Sequence, residues 1–466
     1  MIPLTLETIA TITGGQLVGD NLTIQGLVTD SRAQNMQGLF VALVGEKFDA
    51  HQFIHQAQDN GAIALLVSKA VTSSLPQIVV ENSEQALGKI AAYVRQQVNP
   101  KVIGITGSAG KTSVKEMVAS ILRVYSHDDG KVLATKGNFN NHIGVPLTLL
   151  ELTQQHEFAV IEMGANHKGE IAYTAHLAKP DTSAINNVEA AHIEGFGSIE
   201  GVAEAKSEIY EALSSSGTAV INLDCEFARD WQKQFEYLHK VTVSRHKNAQ
   251  FTAHNCHLNQ QSQVEFMLQH ENDGCSQSVA ICLPTPGMHN VSNALVAAAL
   301  AHSVGVDMES IQMGLQSVAS VKGRLNVHQT TNGITLIDDT YNASVGSVKA
   351  AIDYLASLAG HKLLVLGDMA ELGVDSDKYH FEVGAYAQEK NIDQLFVWGT
   401  FVQHTVKAFG ENARLFEQKE QLVEAIKSDI SLQNVLVKGS RSARMEQVVE
   451  ALLENDKENR EGVGSC

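Results

Sequence analysis

Short, continuous apolar runs alternate with longer amphipathic stretches along most of the chain. That rhythm predicts a mostly parallel α/β protein. In the first segment, Leu39 to Val44 (LFVALV) and Ala62 to Val67 (AIALLV) read as strands. Between them lies a helix over His51 to Asn60 that stops at Gly61. Ser83 to Val98 reads as an amphipathic helix closed by Asn99-Pro100, because the residue before a proline is pushed out of helical geometry. A second segment opens with KVIGITG at Lys101. Its further strands are Phe158 to Glu162, Ser183 to Val188 and Thr218 to Leu223, and strand–helix alternation continues to about residue 318. Asn290 to Val304 is an Ala-rich helix within it. A third segment repeats the alternation, with strands over Leu363 to Gly367, Leu395 to Trp398 and Val435 to Gly439. The predicted organisation is three α/β domains over residues 1–84, 85–318 and 319–454, followed by a charged tail over 455–466 that is expected to fray.

Length agrees with this division. A chain of 466 residues exceeds one hydrophobic core, since domains run about 100–200 residues. Hydrophobic residues at 44% and charged residues at 18% describe a globular protein rather than a disordered one. Lys and Arg total 34 against 52 Asp and Glu, a formal charge of -18. That balance excludes a nucleic-acid or anionic-membrane surface, which needs a basic footprint. It also means that a phosphate ligand must be held by local devices: backbone amides, Mg2+ and a few basic side chains. Cys225, Cys256, Cys275, Cys282 and Cys466 form no C-x-x-C pair and read as reduced thiols. The opening MIPLTLETIA lacks a basic region and an apolar core. No apolar run reaches the ~20 residues of a membrane-spanning helix, so a cytoplasmic location is expected.

The sharpest local signal is Gly104-Ile-Thr-Gly-Ser-Ala-Gly110-Lys111-Thr112, a full match to G-x-x-x-x-G-K-[ST]. A strand precedes it. A helix with apolar Val114, Met117, Val118, Ile121 and Leu122 follows. Gly107, Ser108, Ala109 and Gly110 are positioned to turn backbone amides onto phosphate oxygens, aided by the helix N-terminus. Lys111 is expected to reach the β- and γ-phosphates, and Thr112 or Ser113 to place a hydroxyl on Mg2+. A P-loop establishes nucleotide binding but not function.

Downstream, Glu162 ends the strand FAVIE, the end at which parallel sheets bind ligands. It reads either as a hard-oxygen Mg2+ ligand or as an ordinary strand-end glutamate. His192 follows the strand SAINNV and reads as a loop histidine or a ligand. Lys206, on a helix, reads by itself as a surface lysine.

Taken together, GITGSAGKTS, GNFNNHIGVP (137–146), IEMGANH (161–167), NNVEAAHIEGFGS (186–198) and AKSEI (205–209) resemble the Mur ligases in content and order. These enzymes build the peptide stem of the bacterial cell-wall precursor. The stretches DSRAQNMQGLFVALVGEKFDAHQF (30–53), LGDMAELG (366–373) and VKGSRSARME (437–446) are similar to the branch that joins D-alanyl-D-alanine to UDP-N-acetylmuramoyl-tripeptide. The resemblance implies an N-terminal UDP-binding domain, a central ATP-binding P-loop domain and a C-terminal Rossmann-like domain. It implies an acid–D-amino-acid ligase that acts as a monomer, with ATP and two Mg2+ ions.

The same resemblance assigns residues. Glu162 and His192 match Mg2+-binding positions, and Lys206 matches a lysine that is carbamylated in family members. A carbamate is an anionic oxygen ligand, whereas an ammonium repels a cation. Asn290 matches an adenine contact, and Arg324 and Asp339 match residues reaching ATP phosphate and ribose, with Asp338 the competing choice. Asp30, Ser31, Arg32, Gly45 and Lys47 correspond to the UDP region, and Asn138 and Asn141 to the precursor and phosphate site. Ser440 and Arg441 fall near the incoming dipeptide, and Tyr341 and Asn342 match substrate-binding positions. One departure stands out: many members have Asn-Pro where this chain has Ser344-Val345. A folate polyglutamate synthetase and a P-loop regulatory ATPase are the competing functions.

Overall fold

The computed structural model describes residues 1–45, 48–190, 193–272 and 274–463, with side chains as far as Glu454. Three sheets organise it. The first contains β1 (Gln16–Val18), β2 (Leu27–Val28), β3 (Leu39–Val41), β4 (Ala64–Val67) and β5 (Gln77–Val79), in the order 1-5-4-3-2. Its pairs are parallel except at the edge strand β1. The run LFVALV divides, because only Leu39–Val41 pairs within this sheet, while Val44–Gly45 joins a short hairpin with Phe48–Asp49. The helix expected over 51–60 begins as a 3-10 turn over Ala50–Phe53 and becomes α-helical over Ile54–Asp59.

Helix α1 (Leu6–Thr13) and the long α2 (Ser83–Val98) cover the first sheet. Asn82 caps α2 by accepting from the Gln85 N–H, and Asn99 ends it in the left-handed conformation at φ 53°. The boundary expected at residue 84 falls in the first turn of this helix. Leu87, Ile90, Ala91 and Val94 are buried in one core with Ile9, Leu39 and Leu66 on one side and Val102, Ile161 and Ile171 on the other. Buried Arg95 adds a polar tie, donating from Nε to the Ala178 carbonyl at 2.7 Å and from Nη2 to the Lys179 carbonyl at 2.8 Å.

The central sheet contains β6 (Lys101–Thr106), β7 (Val132–Ala134), β8 (Phe158–Glu162), β9 (Thr182–Ile185), β10 (Thr218–Asn222), β11 (His239–Ser244), β12 (Phe251–Leu258), β13 (Val264–Asn272) and β14 (Cys275–Leu283). Their order is 7-8-6-9-10-11-12-13-14. The chain places β7 and β8 on one side of β6 and β9 onward on the other, so a switch-point crevice opens at the C-terminal end of β6. Helices α3 (Lys111–Ser126), α4 (Glu170–Ala178), α5 (Ile199–Glu211), α6 (His289–Ser303) and α7 (Met308–Gln316) flank this sheet.

Strand–helix alternation does not continue to residue 318 as expected. From β12 to β14 the strands are antiparallel. Their alternating burial, as in Val264–His270, is the period-2 pattern of a sheet wetted on one face.

The third sheet contains β15 (Asn326–Gln329), β16 (Thr335–Asp339), β17 (Lys362–Gly367), β18 (Gln394–Trp398), β19 (Ala413–Phe416) and β20 (Asn434–Lys438), in the order 15-16-20-17-18-19. All pairs are parallel except β15–β16. Helix α8 (Val345–Ser357) follows β16. The final helix, α9 (Glu446–Val463), extends through most of the stretch expected to fray. Its Glu, Lys and Arg content favours helix.

One close approach fixes the layer behind the P-loop helix. At Gly314 on α7, a Cβ would lie 2.3 Å from the Ile121 Cα on α3. Gly314→Ala is therefore expected to destabilise the fold by ~1–3 kcal/mol through overpacking, despite the helix preference of alanine. Urea denaturation would measure the difference.

Candidate active site

The P-loop occupies the turn between β6 and α3. Gly107 has φ 153° and Gly110 has φ 76°, values that residues with a Cβ rarely adopt. Polar side chains at the end of β9 hold the loop in shape. The Asn187 carbonyl accepts from the Ser108 N–H at 3.0 Å and its Oδ1 from the Ala109 N–H at 2.8 Å. Asn186 donates from Nδ2 to the Ala109 carbonyl at 2.9 Å and to Asn293 Oδ1 at 2.9 Å. Asn293 in turn donates to Asn290 Oδ1 at 2.8 Å, and Asn290 to the Pro286 carbonyl at 2.7 Å. A relay of amides thus joins Asn290 to the phosphate loop.

Two cavities meet at this loop. The first, about 480 Å³, lies between α3, α6 and the third lobe, and its walls include Gly110, Ser113, Asn290, Arg324, Asp339 and Lys438. The second, about 640 Å³, takes in Ser108 to Thr112, Asn138, Asn141, Glu162 and Lys206 from the central lobe. Its opposite wall is Tyr341, Asn342, Ser440 and Arg441, on the loops after β16 and β20. Ala109, Gly110 and Arg324 line both cavities. Thr112 faces the second cavity and Ser113 the first. Asp339 lines the first, whereas Asp338 turns to another side and accepts from the Thr340 hydroxyl at 2.6 Å.

The second cavity has the polarity expected of a cation site. Asn140 donates to Glu162 Oε1 at 2.8 Å, while the buried Glu162 Oε2 has no hydrogen-bond partner. A buried carboxylate oxygen without a donor fits a hard cation. The Lys111 ammonium donates to the Gly107 carbonyl at 2.6 Å, and burial pushes its pKa down. Lys206 is buried at 2% exposure. Burial, and then the charge of Lys111, push its pKa well below the ordinary lysine range.

The third lobe contributes further cations. The Arg324 guanidinium sits 4.3 Å from the centre of the Tyr341 ring. Buried Lys438 donates to Asp339 Oδ2 and to the Asn342 carbonyl at 3.0 Å. Ser344, at the departure from the family pattern, caps α8 in a reciprocal capping box with Ser347.

Asp30, Ser31, Arg32 and Gly45 lie in the first lobe, away from both cavities. Arg32 forks onto Asp30 and holds its carboxyl down at about 2, and Ser31 donates to Gln56 at 2.7 Å. His192 and Lys47 lie outside the described residues. Asn140, Asn186, Asn187, Glu189, Asn293 and Lys438 are site residues that sequence reasoning did not single out. Lys438 had a readable signal: like Glu162, it is a charge closing an apolar strand.

The Mur ligase middle domain matches residues 105–301, and the Mur ligase glutamate ligase domain matches 323–455. The chain belongs to the Mur ligase family. Among curated relatives, UDP-N-acetylmuramoyl-tripeptide–D-alanyl-D-alanine ligase of Escherichia coli K12 is 45% identical over 98% of this chain and 99% of its own length. The enzyme of that name from Bacillus subtilis 168 is 35% identical over 98% and 99%. The crystal structure of MurF from Acinetobacter baumannii superposes with a TM-score of 0.90 at 35% identity, covering 97% of this chain and 99% of that one. MurF from Thermotoga maritima, solved with ADP, has a TM-score of 0.80 at 27% identity, covering 93% and 98%. This Mur ligase is thus a three-domain, ATP-dependent amide ligase. A folylpolyglutamate synthase from Mycobacterium tuberculosis shares the fold at 16% identity.

His289 gives this Mur ligase a pH signature. Burial pushes its imidazole down from 6.5 to about 4, with Lys438, Arg245 and Arg324 adding to the shift and Asp339 opposing it. The folded protein keeps the ring neutral where the unfolded chain already binds a proton. Stability therefore falls as pH drops from 6.5 toward about 4. Urea midpoints near neutrality and near pH ~5 should differ less in His289→Gln than in the parent if this linkage operates.

Proposed function

We propose that this Mur ligase uses ATP to join D-alanyl-D-alanine to UDP-N-acetylmuramoyl-tripeptide in the cytoplasm, as a step of peptidoglycan precursor synthesis. The observation that carries the reading is a single cavity with a phosphate loop, Glu162 and Lys206 on one wall and Tyr341, Asn342, Ser440 and Arg441 on the other. Full-length similarity to ligases of that name supports the choice of substrates.

ATP lies with its adenine toward Asn290 and its ribose toward Asp339, and its phosphates cross the P-loop into the second cavity. The terminal carboxylate of the tripeptide attacks the γ-phosphorus, and the bond to ADP breaks. Lys111, Arg324 and the loop amides neutralise the charge spread over the transferring group. The dipeptide amine then attacks the acyl carbon, and phosphate departs as the amide forms, carrying away the proton released from nitrogen. Asn138 and Asn141 orient the tripeptide end, and Ser440 and Arg441 hold the dipeptide. Asp30, Ser31, Arg32, Gly45 and Lys47 hold the uridine diphosphate.

Thr112 and Glu162, with His192, would hold Mg2+, which supplies charge neutralisation for the phosphates. We propose that Lys206 completes this set as a carbamate. Its lowered pKa favours the neutral amine that CO2 captures, and the anionic product offsets the neighbouring Lys111. A folate-directed ligase is disfavoured by the weaker similarity.

Coupled phosphate release, assayed with each acceptor omitted in turn, tests the reaction. Release should require both acceptors, with the amide detected by mass. ATP hydrolysis without either acceptor would instead indicate a regulatory ATPase. Lys111→Ala should lower turnover by about 10²-fold or more. Lys206→Ala should cause a comparable loss and remove a carbamate signal seen by carbon NMR in labelled bicarbonate. Full activity in that variant would eliminate the carbamate.

A further inference from the structure

We infer that Glu189 is a positioning residue that docks the third lobe onto the phosphate loop, with Gly346 as its seat. The inference rests on the ATP site described above but not on the identity of the acceptors. Glu189 stands in the loop after β9, and its backbone is fastened to the P-loop: its N–H donates to Ser108 Oγ at 3.0 Å, and that hydroxyl donates to its carbonyl at 3.2 Å. Its side chain leaves the central lobe and lies across the first turn of α8. A Cβ built on Gly346 would fall 2.1 Å from Glu189 Oε2, 2.3 Å from Cδ and 2.6 Å from Oε1. The carboxylate therefore occupies the space that any other residue at 346 would fill. Its Oε2 is buried and has no hydrogen-bond partner.

Three forces favour this seat. The N-terminus of α8 presents the positive end of its dipole to a carboxylate. Burial pushes the pKa of this carboxyl up; the Ser344 hydroxyl, then Lys111 and Lys438 from either side of the domain boundary and Lys349 on α8, oppose that by favouring its charged form. Ser344 is itself the cap of α8. One acidic side chain thus couples three things: the Ser108 turn of the P-loop, the start of α8 and the Lys438 that bonds Asp339. With the carboxylate seated, Arg324 and Asp339 face the nucleotide cavity. Without it, the apolar contact of Ala190, Ile193 and Val202 with the third lobe's core remains, but the polar tie that sets the register of the two walls is lost.

Calorimetric ATP affinity, measured without acceptors, tests this directly. Glu189→Ala should weaken ATP binding by about tenfold, a coupling of ordinary strength. Gly346→Ala should do the same, because the methyl expels the carboxylate. Alanine favours helix over glycine and the displaced group is a side-chain end rather than backbone, so this variant should still fold with a cooperative melting transition. Combined with Glu189→Ala, Gly346→Ala should cause no further loss. Glu189→Gln, which keeps shape but not charge, should fall between the parent and Glu189→Ala. Additive losses in the double variant, or parental affinity in Gly346→Ala, would overturn the inference. Glu189→Gln and Gly346→Ala keep the test usable if Glu189→Ala does not fold. A parent that binds ATP but fails to form the amide would count against the proposed reaction and leave this contact unaffected.

Discussion

Concentrated positive charge, held out of water by an acidic protein, is the constraint on which the site depends. Lys206 and Lys438 are buried and Lys111 is half-buried, and desolvation lowers the pKa of each. Burying an ammonium is costly unless an anion accompanies it. Lys438 has Asp339. Lys111 donates to the Gly107 carbonyl with the Glu162 and Glu189 charges nearby, and Lys206 feels the charge of Lys111. Such a site is preorganised for polyanions, and a net charge of -18 elsewhere does not weaken it at contact range. The fold supplies the means: β6 and β8 end at one wall, β16 and β20 at the other, and the walls consist of the loops that leave those strand ends.

Much of this was legible in the sequence for an identifiable reason. Buried parallel strands are continuous apolar runs, so FAVIE, LLVLG and VLVKG could be read to within about a residue. The Asn99-Pro100 stop placed the end of α2 equally well. The P-loop was legible because its glycines carry a backbone requirement that nothing else satisfies.

The remainder was hidden by chemistry that spacing does not encode. The β12–β14 meander has one face in water, and its weaker alternation resembles loop sequence. The helix over the charged tail was missed because a charged stretch can be helical when its residues favour helix. Asn186, Asn187 and Asn293 work only as a relay across more than one element, so no single stretch reveals them. Lys206 reads as a surface lysine until the packing of α5 shows it buried. Asp338 and Asp339 are adjacent in sequence and face opposite ways, a distinction that belongs to the strand and not to the letters.

The shared core around α2 has a consequence for dissecting the protein. Because Leu87, Ile90 and Val94 face both the first sheet and the central one, the segment before residue 83 is a floor as much as a module. Excising it would strip an apolar surface from the piece that carries the phosphate loop and leave a fragment prone to clump. The boundary after α7 also shares a core: Val202 on α5, with Ala190 and Ile193, is buried among Val345 and Val348 of the third lobe, while other residues of α5 belong to the central core. A fragment cut there would keep α2 covered on both sides but bare Ala190, Ile193 and Val202, so each division of the chain uncovers a face made for its neighbour.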